Sequence, residues 1–333
     1  MATIDDVARA AGVSTSTVSY VLSGKRPISA PTRQRVERSI HKLNYRPHAG
    51  ARALASNRTK VLALMAPLRV DVNVSVIMQF VAGVVTSART FEYDVLLLTQ
   101  DDATGLKRVA DGSMVDALIM MDIEAEDPRV PILAGLRQPA VLIGLPANPA
   151  GLSCVDLDFE AASRVAVRHL AGLGHTQIAL IGSPRAVVER HTSYADAMQR
   201  GFARQTAKLG VNGLYEPCES SHAGAVAAVD RVLSEMPAVT GLVVHNEVAL
   251  PAIIATLRER GLSVPGDISL VAVCPLDVAV GQPLPLTSVD IPAQAIGRVA
   301  VEMAMTRIAG EQPVETRLLA PVLTDRHSTA APR

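Results

Sequence analysis

The spacing of hydrophobic and polar residues predicts three helices within the first 45 residues. Thr3, with Asp6 three residues later, has the sequence of a capping box, and Gly12 supplies a stop signal for the first helix. Ser14 can cap a second helix and Ser29 a third. The residues predicted to face inward are Val7, Ala8, Ala11, Val18, Val21, Leu22, Val36, Ile40 and Leu43. Two short helices joined by a tight turn and braced by a third form a helix-turn-helix.

Beyond Lys60 the pattern changes to short hydrophobic runs that alternate with longer amphipathic ones, which indicates parallel α/β structure. The predicted strands are 61–66, 94–99, 116–121, 140–145, 178–182, 241–245 and 268–273. The predicted helices are 76–89, 160–173, 198–209, 223–235, 249–260 and 293–309. A chain with two such sheets would bind a ligand in the cleft between them, at the carboxyl ends of the strands.

Charge is separated along the chain although the formal net charge is zero. The first sixty residues carry 11 Lys and Arg against 3 Asp and Glu, a net +8, and the remainder carries 21 against 29, a net −8. A basic domain attached to an acidic body indicates a nucleic-acid partner.

Several other classes of protein lack support in the sequence. We find no hydrophobic run long enough to span a membrane and no secretory leader pattern, so we expect a cytoplasmic protein. Cys154, Cys218 and Cys274 share no metal-binding spacing, and we expect them to be buried apolar residues. Nucleophile-elbow, phosphate-loop and zinc-protease motifs do not occur. We therefore predict no catalytic residue, no metal and no cofactor.

The headpiece residues carry a family resemblance. The segments 4–8 (IDDVA), 13–19 (VSTSTVS) and 43–47 (LNYRP) resemble the headpiece of the LacI/GalR family of bacterial repressors. The resemblance implies that the second helix lies in the major groove, with Thr15, Ser16 and Tyr20 against base edges. It places Ser14 and Thr17 nearer the phosphates. Arg26 could read a guanine or bind a phosphate, and Tyr20 replaces the arginine common at its position.

The stretch 47–56 resembles the hinge helix of the same family. In that family the helix folds when two copies meet in the minor groove, where a leucine inserts between base pairs. Leu54 matches this leucine, and Ala51 matches the small residue that permits close approach. The resemblance implies a homodimer on a palindromic DNA operator.

Segments in the rest of the chain, including His169–His175 and Val264–Ser269, resemble the sensor domain of the family. The expected fold class is an N-terminal all-α helix-turn-helix headpiece followed by an α/β two-lobed, periplasmic-binding-protein-like domain with two parallel sheets. The expected division is headpiece 1–46, hinge 47–59 and sensor domain 60–329, with an N-lobe of about 61–159 and 290–320 and a C-lobe of about 160–289 and 321–329.

The ligand site departs from the family pattern. Asp158 stands where the family has a cleft carboxylate, and Asn246 with Glu247 replaces the usual Asn-Asp pair. Met198, however, replaces an arginine, and Cys274 lies in a segment that replaces a Gly-Phe-Asp-Asp turn. A sugar needs several bidentate or charge-assisted partners. The departures favour a less polar ligand, a shifted pose using Arg190 or Asp277, or no effector.

Three ligand hypotheses therefore remain: a carbohydrate or derivative, which we place first, another small molecule, and a silent cleft. Capping of a turn or helix is the alternative role for Asp158 and Asn246. The predicted function is a DNA-binding transcriptional regulator, in the first instance a repressor. The alternative is a regulator that binds DNA independently of any effector.

Replacing Leu54 with Ala tests the hinge assignment. We expect weaker binding to a specific operator and nearly unchanged nonspecific, salt-dependent binding, because the wedge between base pairs is lost while the phosphate contacts remain. Fluorescence anisotropy with operator and random duplexes measures both. An equal loss on the two duplexes would count against the assignment.

Overall fold

The computed structural model describes residues 2–23, 26–45, 58–69, 73–99, 103–112, 114–310 and 313–333. Ala51 and Leu54 lie outside the described residues, so their predicted roles in the hinge stay predictions.

The N-terminal part contains the three predicted helices: α1 (Ile4–Ala11), α2 (Thr15–Ser23) and α3 (Ala30–Lys42). The capping box of α1 is confirmed, since the Thr3 hydroxyl accepts the Asp6 amide at 3.3 Å and the Asp6 carboxylate accepts the Thr3 amide at 2.9 Å. Gly12 ends α1 in the left-handed region, with φ of 63°. The Ser14 hydroxyl accepts the Thr17 amide at 3.2 Å at the start of α2, as predicted.

The core of these helices contains most of the residues predicted for it, with Val7, Val18 and Val36 fully buried. Leu22 was predicted to face inward, and this is wrong: it lies in the last turn of α2, is 40% exposed and is not packed in the core. Tyr45, after α3, is buried in this core. Ser29 precedes α3 but does not cap its backbone, because its hydroxyl donates to Thr32 Oγ1 at 2.9 Å.

The remainder alternates strands and helices. The strands are β1 (Val61–Met65), β2 (Asp94–Leu98), β3 (Ala117–Met120), β4 (Ala140–Ile143), β5 (Ser153–Leu157), β6 (Gln177–Gly182), β7 (Asn212–Pro217), β8 (Gly241–Val244), β9 (Ser269–Cys274), β10 (Thr287–Asp290), β11 (Thr316–Leu319) and β12 (Leu323–Thr324). The helices are α4 (Val74–Thr90), α5 (Ala103–Asp111), α6 (Arg129–Ala134), α7 (Phe159–Gly172), α8 (Arg185–Glu189), α9 (Ser193–Leu209), α10 (His222–Glu235), α11 (Leu250–Glu259), α12 (Leu276–Val280) and α13 (Ala293–Ala309).

These elements form two lobes, each around one sheet. The first lobe has the strand order β11-β5-β4-β3-β1-β2, and helices α4 and α13 pack against each other on it. The second lobe has the order β12-β10-β9-β8-β6-β7, and α7 packs against α9. All described strand pairs are parallel except β10 with β12. The chain passes between the lobes after β5, after β10 and between β11 and β12.

The six helices predicted for this part are all present, and the seven predicted strands are present within a few residues. Strands β5, β7, β10, β11 and β12 were not predicted. Cys154, Cys218 and Cys274 are free and buried, which confirms their assignment as apolar core residues.

Glycine permits the closest helix contacts in both lobes. A Cβ on Gly201 of α9 would overlap the carbonyl oxygen of Glu160 in α7. In the first lobe, a Cβ on Gly297 of α13 would lie 2.6 Å from the carbonyl oxygen of Phe80 in α4. Both neighbouring atoms belong to helix backbone, so a side chain at either position must push two helices apart.

We expect Gly201→Ala to lower the free energy of unfolding by about 1–3 kcal/mol, the usual cost of overpacking. Urea unfolding of the full chain measures it. Gly172→Ala is the matched control, because Gly172 lies in α7 and its added Cβ meets nothing within 4 Å. The control should be neutral or slightly stabilising. Equal effects of the two substitutions would show that the α7–α9 contact tolerates a side chain.

Candidate functional site

A cavity lies between the two lobes, at the carboxyl ends of the strands, as the sequence predicted. Its empty volume is about 920 Å³, including its open mouth. Met121, Ile143 and Asp156 line it from the first lobe, and Ser183 and Asn246 from the second. A molecule in this cavity would therefore touch both lobes at once.

Three carboxyl groups of the described residues line the cavity: Asp122, which is paired with Arg69 and Arg190, and two others, one from each lobe. Asp156, at the end of β5, is buried, and its Oδ1 accepts the Leu157 amide at 2.9 Å. Glu247 follows β8 in the second lobe. Burial raises the pKa of Asp156 to about 7, and burial also raises the pKa of Glu247 to about 7. Removal from water therefore disfavours the ionised form of both groups.

Three rings meet at one wall of the cavity. The centroids of Phe159 and His245 are 5.4 Å apart, and the Tyr194 ring lies 5.8 Å from each of them, edge-on to His245. All three residues line the cavity. Burial lowers the pKa of His245 to about 4, so its imidazole is neutral at physiological pH. The wall is therefore aromatic and carries no positive charge of its own.

Ion pairs cross from one lobe to the other beside the cavity. Arg190, after α8 in the second lobe, donates to the Asp122 carboxylate at 3.1 Å and to the Glu124 carboxylate at 3.3 Å. Arg69, in the first lobe, contacts Asp122 at 2.8 Å. At a second point Gln79 of α4 donates to both carboxylate oxygens of Asp277 in α12, each at 3.1 Å. These contacts join the lobes in the observed arrangement.

Backbone hydrogen bonds support the same junction. The Ser193 amide donates to the Ile123 carbonyl at 2.8 Å, and the Ala125 amide donates to the His191 carbonyl at 2.7 Å. Glu124 and Thr192 form an isolated antiparallel bridge between these bonds. The loop after β3 and the loop before α9 thus pair like two short strands.

Five of the six residues predicted to bind an effector do not line the cavity, and three of these cap a helix or pack in a core. Asp158 is the N-cap of α7, where its carboxylate accepts the Ala161 amide at 2.8 Å. Met198 is 2% exposed and packs in the core with Phe202. Cys274 is fully buried among the apolar side chains of the second lobe. Each side chain is occupied by capping or packing, which keeps it from the cleft.

The other three predicted residues lie nearer the cleft. Asn246 lines the cavity, but its amide donates to the Cys218 carbonyl at 2.7 Å and its Oδ1 accepts the Ala249 amide at 3.3 Å. Arg190 and Asp277 do not line it, and they form the contacts between lobes described above. A binding role for these residues stays a prediction.

Sequence reasoning missed Asp156 and the aromatic wall. The available signal was a polar residue near the end of a hydrophobic run at 153–157, but this run was not predicted to be a strand. The family resemblance pointed to Asp158, two residues later. In the structure the first of the two aspartates lines the cavity and the second caps a helix.

The residues predicted to contact DNA lie on and around α2, apart from Ala51 and Leu54. Ser16 is exposed, and Thr15 and Tyr20 are partly exposed. The Ser14 and Thr17 hydroxyls are 2.9 Å apart and hydrogen-bond each other. The Arg26 guanidinium lies 5.2 Å from the centroid of the Tyr20 ring, a cation–π contact. Tyr20 and Arg26 therefore form one continuous surface.

Comparison with known proteins decides the family. A family model for bacterial regulatory proteins of the lacI family matches residues 3–48, and a model for the periplasmic binding protein-like domain matches residues 167–329. The HTH-type transcriptional regulator CelR of Thermobifida fusca is 30% identical over 332 residues, which cover 95% of each chain. The chain belongs to the LacI family. It is a DNA-binding transcriptional regulator.

Solved structures of LacI-family regulators share the fold. A lac repressor dimer bound to operator and the anti-inducer ONPF matches 99% of each chain with a TM-score of 0.83 and 24% identity. A CelR–cellobiose complex matches 98% of this chain and 100% of that one, with a TM-score of 0.69 and 26% identity. The predicted fold class and family resemblance are confirmed.

The described residues include neither a membrane-spanning helix nor a cluster of metal-binding side chains. None of the helices in the described part of the chain combines the length and apolar character needed to cross a bilayer. Within those same residues, no group of three or more His, Cys, Asp and Glu side chains could hold a metal ion.

The raised pKa of Asp156 predicts a pH-dependent stability. Its folded-state pKa of about 7 exceeds its ordinary value of 3.8, so ionisation of the buried carboxyl opposes folding increasingly as the pH rises through that interval. We expect Asp156→Asn to raise Tm, and the gain should be larger at about pH 8 than at about pH 5, because the amide has no charge to desolvate. Thermal melts of both proteins at the two pH values measure it. A pH-independent difference would contradict an unpaired buried carboxyl.

Proposed function

We propose that this LacI-family protein is a repressor that binds a palindromic operator as a homodimer and is modulated by a small molecule between its lobes. The observation that carries the proposal is a cavity lined from both lobes in a chain that also has a helix-turn-helix. We propose the division into headpiece 1–46, hinge 47–59 and sensor domain 60–329.

The proposed DNA contacts follow from the exposed surface of α2. Thr15, Ser16 and Tyr20 would meet base edges in the major groove, and Arg26, stacked on Tyr20, would reach a guanine or a phosphate. Ser14 and Thr17 would contact the backbone. One headpiece makes few base contacts, and a two-fold symmetric pair doubles them, which supports a dimer on two half-sites. Ala51 and Leu54 would pair with their copies at the centre of the operator.

The proposed coupling works through the relative position of the lobes. A ligand that contacts both lobes favours the arrangement in which Arg190 meets Asp122 and Gln79 meets Asp277. It shifts the equilibrium by its difference in affinity for the two arrangements. The headpiece and hinge precede the first lobe in the chain. A change in the position of the lobes would therefore move the N-terminal end of the first lobe relative to the same end in the second subunit.

The class of ligand is constrained by the cavity. The CelR–cellobiose complex supports a carbohydrate as one candidate. In the present chain Asn246 already has partners for its amide and its oxygen, and Arg190 is paired at the cavity's edge. Two of the groups expected to bind a polyol are therefore already engaged, and the apolar and aromatic walls favour a less polar molecule.

Tyr20→Arg tests the DNA-binding part of the proposal. We expect selection from a random duplex library to give a palindromic sequence for the original protein. The variant should change the preferred base at one symmetric pair of positions, because arginine reads guanine bidentately and tyrosine does not.

The matched control is Arg38→Gln, which removes a positive charge from an exposed position on α3. It should leave the selected sequence unchanged. A selected sequence without two-fold symmetry would contradict the dimer on a palindrome. An unaltered preference with Tyr20→Arg would contradict base reading by α2 at this residue.

A further inference from the structure

Two carboxyl groups in the cavity between the lobes have no positive partner among the described residues. Asp156 has a hydrogen bond from the Leu157 amide, and no ion pair joins Asp156 or Glu247 to a described Arg, Lys or His. Burial is the chief cause of the raised pKa of both groups, and no cation contributes to either shift. A buried carboxylate without a counter-charge is costly, so this pair favours a positive ligand.

The positive side chains near the cleft are paired with carboxylates other than Asp156 and Glu247. Arg69 and Arg190 both contact Asp122, and both also lie within 3.7 Å of Glu124. Arg129 forms a buried ion pair with Asp127. Among the described residues that line the cavity there is no Lys or Arg, and the one histidine, His245, is held neutral by burial. Asp156 and Glu247 therefore have no matching positive group in the described lining.

The aromatic wall adds the second attraction for a cation. The rings of Phe159, Tyr194 and His245 pack against one another with centroids 5.4 to 5.8 Å apart. Phe80 lines the same cavity. Faces of aromatic rings carry partial negative charge and attract ammonium groups. The same rings, with Ile143 and the other apolar lining residues, provide a surface for a hydrocarbon body.

We propose that the cavity binds a small organic cation, an ammonium group on an aromatic or aliphatic body, with Asp156 and Glu247 as its counter-charges and the three rings as its wall. This inference rests on the proposed function of the cavity as an effector site. It deepens that function by naming the chemical class of the effector.

Because the two carboxyl groups belong to different lobes, a bound cation would affect the relative position of the lobes. Asp156 belongs to the first lobe and Glu247 to the second, and both line the cavity. A cation that contacts both carboxyl groups is attracted to both lobes. The ligand thus stabilises the joined lobes more than the separated ones, which is the requirement for an effector. An anionic ligand would meet like charge at both positions.

Three probes of one shape test the charge preference on the full chain: phenethylamine, 2-phenylethanol and 3-phenylpropanoate. Each has one aromatic ring and a two-carbon arm, and at neutral pH they are a cation, a neutral molecule and an anion. Isothermal titration calorimetry and saturation-transfer NMR measure their affinities. We expect the amine to bind at least about tenfold more tightly than the alcohol and the anion least tightly, since only the amine neutralises Asp156 and Glu247.

Variants assign the preference to the two carboxyl groups. Asp156→Asn and Glu247→Gln keep the shape of each side chain and remove its charge. Each should reduce the affinity for phenethylamine several-fold and leave that for 2-phenylethanol unchanged or slightly higher. Glu259→Gln, at an exposed position on α11, is the matched control and should change neither. Far-ultraviolet circular dichroism checks that the variants fold.

Different outcomes separate this inference from the proposed function. Equal or tighter binding of the alcohol or the anion, or an amine preference that survives both substitutions, overturns the organic cation. Cellobiose and glucose serve as further probes: if a sugar binds and the amine does not, the cavity remains an effector site of another class. If neither the three aromatic probes nor the sugars bind at millimolar concentration, the organic cation is overturned as well. If the amine binds but operator affinity does not change, the cation stands and the role of the cavity in regulation fails.

Discussion

The junction between the loop after β3 and the loop before α9 determines the shape of the cavity. Two backbone hydrogen bonds, Ser193 to Ile123 and Ala125 to His191, fix these loops against each other. The Arg190 guanidinium adds charged hydrogen bonds to Asp122 and Glu124 beside them. Because Ile123 and Ser193 also line the cavity, the residues that join the lobes are part of the site itself. Any movement that opens the junction removes part of the cavity wall.

Local sequence rules predicted the helices well because helix signals are local. The Thr3 and Asp6 capping box and the Gly12 stop both depend on neighbours within four residues, and both are present. Strand β5 was missed because its sequence, SCVDL, interrupts a hydrophobic run with an aspartate. That aspartate, Asp156, lies where the end of β5 lines the cavity. The aspartate in this strand is therefore explained by tertiary structure and not by the local sequence.

The site was predicted in its position but not in its residues. The strand ends were expected to meet at a cleft, because open parallel sheets bind ligands outside the carboxyl ends of their strands. Which polar side chain points into the cleft depends on competition with the backbone, since Asp158 and Asn246 can both satisfy unpaired amides at helix starts. Both do so here, with Ala161 and Ala249 as donors. A carboxylate at the position where the family has its ligand-binding carboxylate can therefore be engaged in capping a helix. Its role is known only when the capping hydrogen bonds at that helix start are known.

The acidic groups near the cavity form two sets with different roles: among the described residues, one set is paired with arginine, and the other is not. Asp122 and Glu124 are neutralised by Arg69 and Arg190, so they hold the lobes together without a ligand's charge. Asp156 and Glu247 have no such partner among the described residues, so their contribution depends on what occupies the cavity. A ligand changes the equilibrium between lobe arrangements only by its differential affinity for them. The first set therefore contributes to the stability of the joined lobes, and the second favours the compounds that can change that stability. A compound that reaches one lobe alone would occupy the cavity without shifting the equilibrium, however tightly it bound.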